Sequence, residues 1–191
     1  MKIINLISLS ALVILFTNSA FAEAKKYTIE PSHSHVTWQA NHFGFSNQSG
    51  KFSEVEGAIV FDEKNPAKSS VEVTIKIASL ATGLSKFDAH LKSADFFNLE
   101  KFTTAKFVSN KVTVTGKNKA KVAGDLTLMG ITKPLTLDVT FNKSDINPLG
   151  KKETVGFSAK ATITRSEFGI DYAVPDVSDK VNLIIETEAN L

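Results

Sequence analysis

Apolar and polar residues alternate with a period of two along most of the chain after residue 35. In segment 71–77, for example, every odd position holds valine or isoleucine and most even positions are polar. Because successive side chains on a strand point to opposite faces, each such segment has one apolar and one polar face. The pattern predicts six regular strands, over residues 36–40, 71–77, 122–128, 135–141, 155–163 and 181–185. Two less regular segments, about 50–61 and 105–114, complete a set of eight.

The stretch Leu84–Asn98 departs from this period. Phe87, Leu91 and Ala94 recur at helical spacing, and Ser85 is expected to cap the start of the helix. The spacing predicts one or two short helices inserted between the third and fourth strands. The adjacent Phe96 and Phe97 cannot both face water comfortably, so at least one is expected to pack into the body as a lid or floor.

The links between the strands are short and rich in turn residues, which indicates antiparallel neighbours, since a parallel pair needs a long crossover. Eight antiparallel strands with one apolar face each can close as a sandwich or as an up-and-down barrel. Short sequential links favour the barrel, so we predict an all-β, eight-stranded antiparallel barrel with a short helical insert. Such a barrel is either filled by side chains or holds one small ligand, and the period alone leaves both open.

The N-terminus has the features of a secretory signal peptide. Lys2 precedes an apolar run over residues 3–16, and Ala20-Phe21-Ala22 fits the small-x-small cleavage rule. We expect cleavage after Ala22, which leaves residues 23–191 as one domain in the periplasm or outside the cell. The apolar run is shorter than the roughly 20 residues that span a bilayer, so a stable membrane anchor is not expected.

The 191-residue chain has no cysteine, which excludes a disulfide framework, a zinc ribbon and a thiol nucleophile. A formal net charge of +2 argues against a nucleic-acid partner, which calls for a strong basic excess. The chain also lacks the G-x-S-x-G nucleophile turn and the glycine-rich phosphate loops. These observations together favour a protein that is not an enzyme.

Four histidines and one arginine carry the remaining chemistry. His33 and His35 would share a face on a strand, and with His90 or Glu30 they could ligate a metal. Polar residues at a barrel end are the favoured interpretation, and no metal site is assigned. Arg165 is the only arginine, and its planar guanidinium suits bidentate pairing with a carboxylate or phosphate. It is expected to pair with Asp88, Asp95 or Glu167, or to contact the polar head of a ligand.

Four stretches carry a resemblance to a known family. They read H-S-H-V-T-W through H-F-G over residues 33–44, D-x-H-L-x-S-x-D-F over 88–96, L-T-L-x-G-x-T-K-P over 126–134, and R-x-x-F-G-I over 165–170. In this order and spacing the chain resembles the YceI-like family of secreted bacterial polyisoprenoid-binding proteins, which have a lipocalin-like barrel. The four stretches extend over nearly all of the chain after Ala22.

The resemblance implies an open apolar lumen that takes a long prenyl or fatty chain. We therefore expect a protein that sequesters or carries a prenyl lipid, quinone or fatty amide and needs no other cofactor, as a monomer or homodimer. A histidine-based metal protein, or a stress or adhesion factor with a filled barrel, is the alternative. Strand parity, together with the aromatic pair of the insert, predicts these lumen residues: Val36, Trp38, Ala40, Val73, Ile75, Phe96, Phe97, Leu126, Leu128, Leu137, Val139, Phe157, Ala159 and Leu183. His42, His90 and Arg165 are expected near the ligand head.

Overall fold

The computed structural model describes residues 24–191, so the predicted signal peptide over residues 1–22 lies outside the described residues. The described chain forms one antiparallel sheet that curls into a closed barrel, with a single α-helix, α1 (Ser85–Lys92). The strands are β1 (Lys25–Ile29), β2 (His35–His42), β3 (Ser46–Phe52), β4 (Val55–Phe61), β5 (Ser70–Lys76), β6 (Leu80–Ala81), β7 (Thr104–Gly116), β8 (Lys119–Leu128), β9 (Ile131–Ile146), β10 (Glu153–Thr164) and β11 (Lys180–Asn190).

Three neighbouring strands of the wall are each broken near the same level. A 3₁₀ turn at Pro31–His33 separates β1 from β2, residues 53–54 separate β3 from β4, and a 3₁₀ turn at Ile77–Ser79 separates β5 from β6. One set of halves pairs as β1–β4–β5 and the other as β2–β3–β6. Counted as continuous long strands, the eleven segments make eight. The barrel closes because β1 and β2 both pair with β11, which confirms the predicted eight-stranded antiparallel barrel.

Consecutive long strands run in opposite directions, so the connections gather at two ends. We call the upper end the one that carries the β2–β3 turn, the helical segment between β6 and β7, the β8–β9 turn and the loop between β10 and β11. The lower end carries the links β4–β5, β7–β8 and β9–β10. The inward faces of the strands bury the apolar positions, including Ile59, Phe107, Val122 and Val155.

The sequence pattern missed strand β1, because five residues with two apolar side chains are too short to show a period. Tyr27 and Ile29 are nevertheless buried in the wall. The Tyr27 hydroxyl donates a hydrogen bond to Glu153 Oε1 at 2.6 Å, and Lys25 Nζ donates to the same carboxylate. Burial, together with the bond to the Glu153 carboxylate, raises the pKa of Tyr27 to about 12.

Helix α1 lies between the third and fourth long strands, as predicted, but its start is stabilised differently. Leu84 occupies the N-cap position and Ser85 is the first helical residue, so the prediction of a Ser85 cap was wrong. Asp88 instead accepts hydrogen bonds from Thr82 N at 2.7 Å and from Thr82 Oγ1 at 2.6 Å. These bonds lower the pKa of Asp88 and tie the first turn of the helix to the end of β6.

Candidate ligand-binding site in the barrel lumen

A cavity of about 750 Å³ extends through the interior of the barrel. This size falls in the range of roughly 300–1,000 Å³ that is usual for small-molecule sites. All fourteen predicted lumen residues line it: Val36, Trp38, Ala40, Val73, Ile75, Phe96, Phe97, Leu126, Leu128, Leu137, Val139, Phe157, Ala159 and Leu183. Their contact with a ligand stays a prediction. The inward apolar face of every long strand contributes to the wall, so the cavity is a space that water wets poorly.

Trp38 on β2 forms a tightly packed part of this wall. Its cross-strand partner is Gly50 on β3, and a Cβ at position 50 would lie 2.7 Å from Trp38 Cζ2. Glycine is therefore required there by the close approach of the indole. The indole N–H is buried and finds no acceptor among residues 24–191. The surroundings of Trp38 are thus packed for apolar contact rather than for hydrogen bonding.

An aromatic cluster occupies the lower half of the lumen. Phe61, Phe141 and Phe157 come from three different strands, and their ring centroids lie 5.3–5.5 Å apart. Such spacing is typical of favourable aromatic pairs. Phe157 was predicted, whereas Phe61 and Phe141 were not singled out, although each ends a segment predicted as a strand. The signal that could have found them is parity, because Phe141 shares it with Val139 and Phe61 shares it with Ile59, both of which line the cavity.

The helical segment covers the upper end of the lumen. Phe87 lies edge-on to Trp38 at 6.3 Å, and Phe97 lies edge-on to Phe52 at 5.5 Å. Phe96 packs instead against His90 and Tyr172, at 5.1 and 5.3 Å. Both phenylalanines of the pair are partly buried, so the segment forms a lid over the barrel.

His42 and His90 lie at the upper end and both line the cavity. The His42 ring lies 4.6 Å from the ring of Phe43, and its backbone bridges to Val177 in the β10–β11 loop. His90 Nε2 lies 3.4 Å from Asp95 Oδ2, with its side chain partly exposed. Both imidazoles thus stand where an apolar lumen meets water, and their contact with a ligand head stays a prediction.

Arg165 binds the β10–β11 loop rather than a carboxylate, and its contact with a ligand head stays a prediction. Its guanidinium is buried and donates four hydrogen bonds, all to backbone carbonyls of the β10–β11 loop: Nε to Ser178, Nη1 to Ile170 and Tyr172, and Nη2 to Val177. The distances are 2.8–3.0 Å. Burial lowers the pKa of Arg165, although the guanidinium remains charged.

The predicted pairing of Arg165 with Asp88, Asp95 or Glu167 was wrong. Within residues 24–191, no ion pair closer than 4 Å involves this side chain. Arg165 lines the cavity, but four of its five N–H groups are occupied by the loop, which leaves one for a ligand. Asp179, which the sequence did not single out, completes the loop by accepting hydrogen bonds from Ser166 N at 2.9 Å and Ser166 Oγ at 2.7 Å.

A model of the YceI-like domain matches residues 27–189, which is nearly the whole described chain. The chain belongs to the YceI-like family. A UPF0312 protein of Pseudomonas putida (strain W619) is 40% identical over 157 residues, with 82% of this chain and 81% of the relative covered. A UPF0312 protein of Pseudomonas fluorescens (strain SBW25) is 38% identical over 175 residues, covering 92% of this chain and 90% of the relative.

Solved structures agree with this assignment. The Campylobacter jejuni YceI protein superimposes with a TM-score of 0.70 at 34% identity, covering 79% of this chain and 89% of that one. Burkholderia cenocepacia BcnA gives a TM-score of 0.76 at 24% identity over 84% and 99% of the two chains. A polyisoprenoid-binding domain from Saccharophagus degradans, implicated in plant cell wall breakdown, gives 0.65 at 10% identity over 86% and 97%. The last two likenesses show a shared fold.

The histidines of this YceI-like protein do not form the pair that the metal hypothesis needs. His33 lies in the 3₁₀ turn before β2 and His35 is the first residue of β2, so they do not share a strand face. His33 Nδ1 lies 2.6 Å from Glu30 Oε2. Burial lowers the pKa of His35, with the Lys51 charge as the second cause. Among the residues that the structure describes, no three histidine, aspartate or glutamate side chains are placed to hold a metal ion.

Among residues 24–191, no helix has both the length and the apolar character needed to cross a membrane.

Proposed function

We propose that this YceI-like protein sequesters or carries a long-chain isoprenoid or a related lipid, such as a prenyl lipid, a quinone or a fatty amide, in the barrel lumen. The observation that carries the proposal is the cavity of about 750 Å³ with apolar side chains on every wall. The Saccharophagus degradans polyisoprenoid-binding domain has the same fold, which adds support for a ligand of this class.

Burial of the lipid chain would supply the affinity. Each methylene removed from water contributes about 0.8 kcal/mol, so twenty buried carbons contribute roughly 16 kcal/mol. Association costs on the order of 8 kcal/mol leave about 8 kcal/mol, which corresponds to a micromolar dissociation constant. Strong polar contacts are not needed for such binding. The proposed role is therefore binding without catalysis. His42 and His90, which line the upper end of the cavity, are assigned to the polar head.

Mass spectrometry of an organic extract tests the proposal directly. The mature protein is purified without detergent from a bacterial periplasm, and the extract is compared with one from a periplasmic protein of similar size. We expect one prenyl lipid, quinone or fatty amide per chain. An empty extract that stays empty after incubation with a panel of such lipids would refute the proposal.

The proposed compartment is the periplasm or the exterior of the cell. The signal-peptide pattern supports this location, because its basic start, apolar centre and Ala20-Phe21-Ala22 site occur in the expected order. The intact mass of the protein recovered from a periplasmic fraction tests it. A chain that begins at Glu23 is expected, and a cell-associated chain that retains Met1 would contradict the proposal.

A further inference from the structure

Three aromatic side chains at the upper end of the barrel are exposed, and two of them also line the lumen. We call this set, Phe43, Phe45 and Tyr172, the upper rim. Phe45, at the β2–β3 turn, is 91% exposed, and Phe43 and Tyr172 are 49% and 47% exposed. Exposed large apolar side chains that cluster in one place mark an interaction surface more often than singly scattered ones do.

The upper rim is continuous with the lumen. Phe43 and Tyr172 line the cavity as well as facing outward. Backbone hydrogen bonds join the end of β2 and its turn to the β10–β11 loop, which carries Tyr172: Phe43 N donates to Asp176 O at 2.8 Å, and Ser178 N donates to Asn41 O at 2.9 Å. The β2–β3 turn and the β10–β11 loop therefore present one apolar surface that leads from the lumen wall to the exterior.

The chemistry of the rim indicates which partner it fits. Residues 43–49 of the turn and the start of β3 contain no charged residue, so inserting this tip into an apolar phase desolvates no ion. Tyrosine is enriched at the boundary between the headgroups and acyl chains of a bilayer, and phenylalanine is among the residues whose apolar side chains bury there. Asp171 and Asp176 lie on the neighbouring loop and oppose attraction to anionic lipids.

We propose that the upper rim inserts into the surface of a neutral phospholipid bilayer and that the lipid ligand passes between bilayer and lumen at this end. The inference rests on the proposed lipid function, because a long chain that crosses water would expose every one of its methylenes to solvent. Docking the mouth of the cavity on the bilayer keeps that chain out of water throughout its transfer.

The lower end provides a matched control. Leu149 in the β9–β10 loop is 92% exposed, almost the same fraction as Phe45. It is followed by Lys151 and Lys152, and it does not line the lumen cavity. Both side chains are free of packing, so replacing either by serine leaves the barrel interior unchanged.

The test measures binding of the mature protein to phosphatidylcholine vesicles that contain no isoprenoid, by flotation on a density gradient. Burial of a phenylalanine side chain predicts that Phe45→Ser lowers the partition coefficient about ten- to hundredfold. Leu149→Ser should leave it unchanged, and added anionic lipid should not increase it. Circular dichroism checks that both variants are folded, and the organic extract described above reports lumen occupancy separately.

Three results would overturn the proposal. The first is a wild-type protein that does not float with the vesicles. The second is an equal loss of binding in both variants. The third is a Phe45-dependent dimer in analytical ultracentrifugation without vesicle binding, which would assign the rim to a second copy. A protein whose binding to vesicles depends on Phe45 but that never acquires a lumen lipid would support the docking surface. It would refute the lipid-carrier function instead.

Discussion

Replacement of Gly50 by alanine tests how tightly the lumen wall is packed around Trp38. A Cβ at position 50 would lie 2.7 Å from Trp38 Cζ2 and 2.8 Å from Nε1. Ordinary carbon contacts are about 3.5–4.0 Å, so the indole must move by about 1 Å. The indole lines the lumen, which gives it open space on that side. Overpacking of this kind costs about 1–3 kcal/mol. Alanine also lowers the conformational entropy of the unfolded chain relative to glycine, which offsets part of this cost.

We expect Gly50→Ala to lower the free energy of unfolding by about 1–2 kcal/mol. Urea denaturation checks this, followed by circular dichroism and by the fluorescence of Trp38, the only tryptophan in the chain. The shifted indole should also narrow the lumen, so weaker uptake of a long-chain lipid is expected in the folded variant.

Gly156→Ala is the matched control for this strand substitution. The nearest atom to a Cβ at position 156 is Asn142 Cβ at 3.9 Å, an ordinary contact. This variant should be as stable as the wild type or slightly more stable. The packing argument would be refuted if Gly50→Ala were as stable as Gly156→Ala, with an unchanged emission spectrum of Trp38.

Three further predictions concern the lumen and the β10–β11 loop. The double substitution Ala40→Trp and Ala159→Trp should abolish lipid uptake while the barrel stays folded, because both positions line the cavity; unchanged lipid binding would contradict the lumen assignment. Arg165→Met should lower the free energy of unfolding by about 3 kcal/mol, since four loop carbonyls lose their donor. A variant as stable as the wild type in urea would show that these four hydrogen bonds do not stabilise the fold. The hydrogen bonds from Ser166 lower the pKa of Asp179, so its contribution to stability is present above its ordinary pKa of 3.8 and is lost as the pH falls through the lower value in the folded state. Asp179→Asn should therefore be less stable than the wild type at pH 7, and the difference should shrink in acid; a gap in unfolding midpoint that stays constant to pH 2 would argue against this linkage.

The barrel was predictable because strand periodicity is a local property. A run such as residues 71–77 shows its inward face directly, and the same parity identified every predicted lumen residue on the strands as one that lines the cavity. The prediction failed where the chain is short or bent. Strand β1 carries only Tyr27 and Ile29 as apolar signals, and the predicted segment 50–61 did not show the break at residues 53–54 between β3 and β4.

The roles of individual polar residues could not be read in the same way. Arg165 was expected to meet a carboxylate, yet its four acceptors are backbone carbonyls, and a carbonyl is present at every position of a sequence. Likewise, Asp88 was considered both as a partner for Arg165 and as a hydrogen-bonding residue that holds the helical insert to the barrel, and only the structure shows that it takes the second role by accepting hydrogen bonds from Thr82. Sequence spacing shows which residue types are available, and it does not show which of them meet.

The alternation of apolar and polar residues thus determined by itself that the chain forms strands with one apolar face each, and the short links between them favoured an antiparallel barrel over a sandwich. Only the tertiary structure decided that the interior remains open and that its upper rim exposes aromatic side chains. The physical reason is that strand faces follow from neighbouring residues. A cavity, in contrast, depends on the side-chain volumes and the strand tilt of all eight strands together. The sequence of one segment does not contain this information.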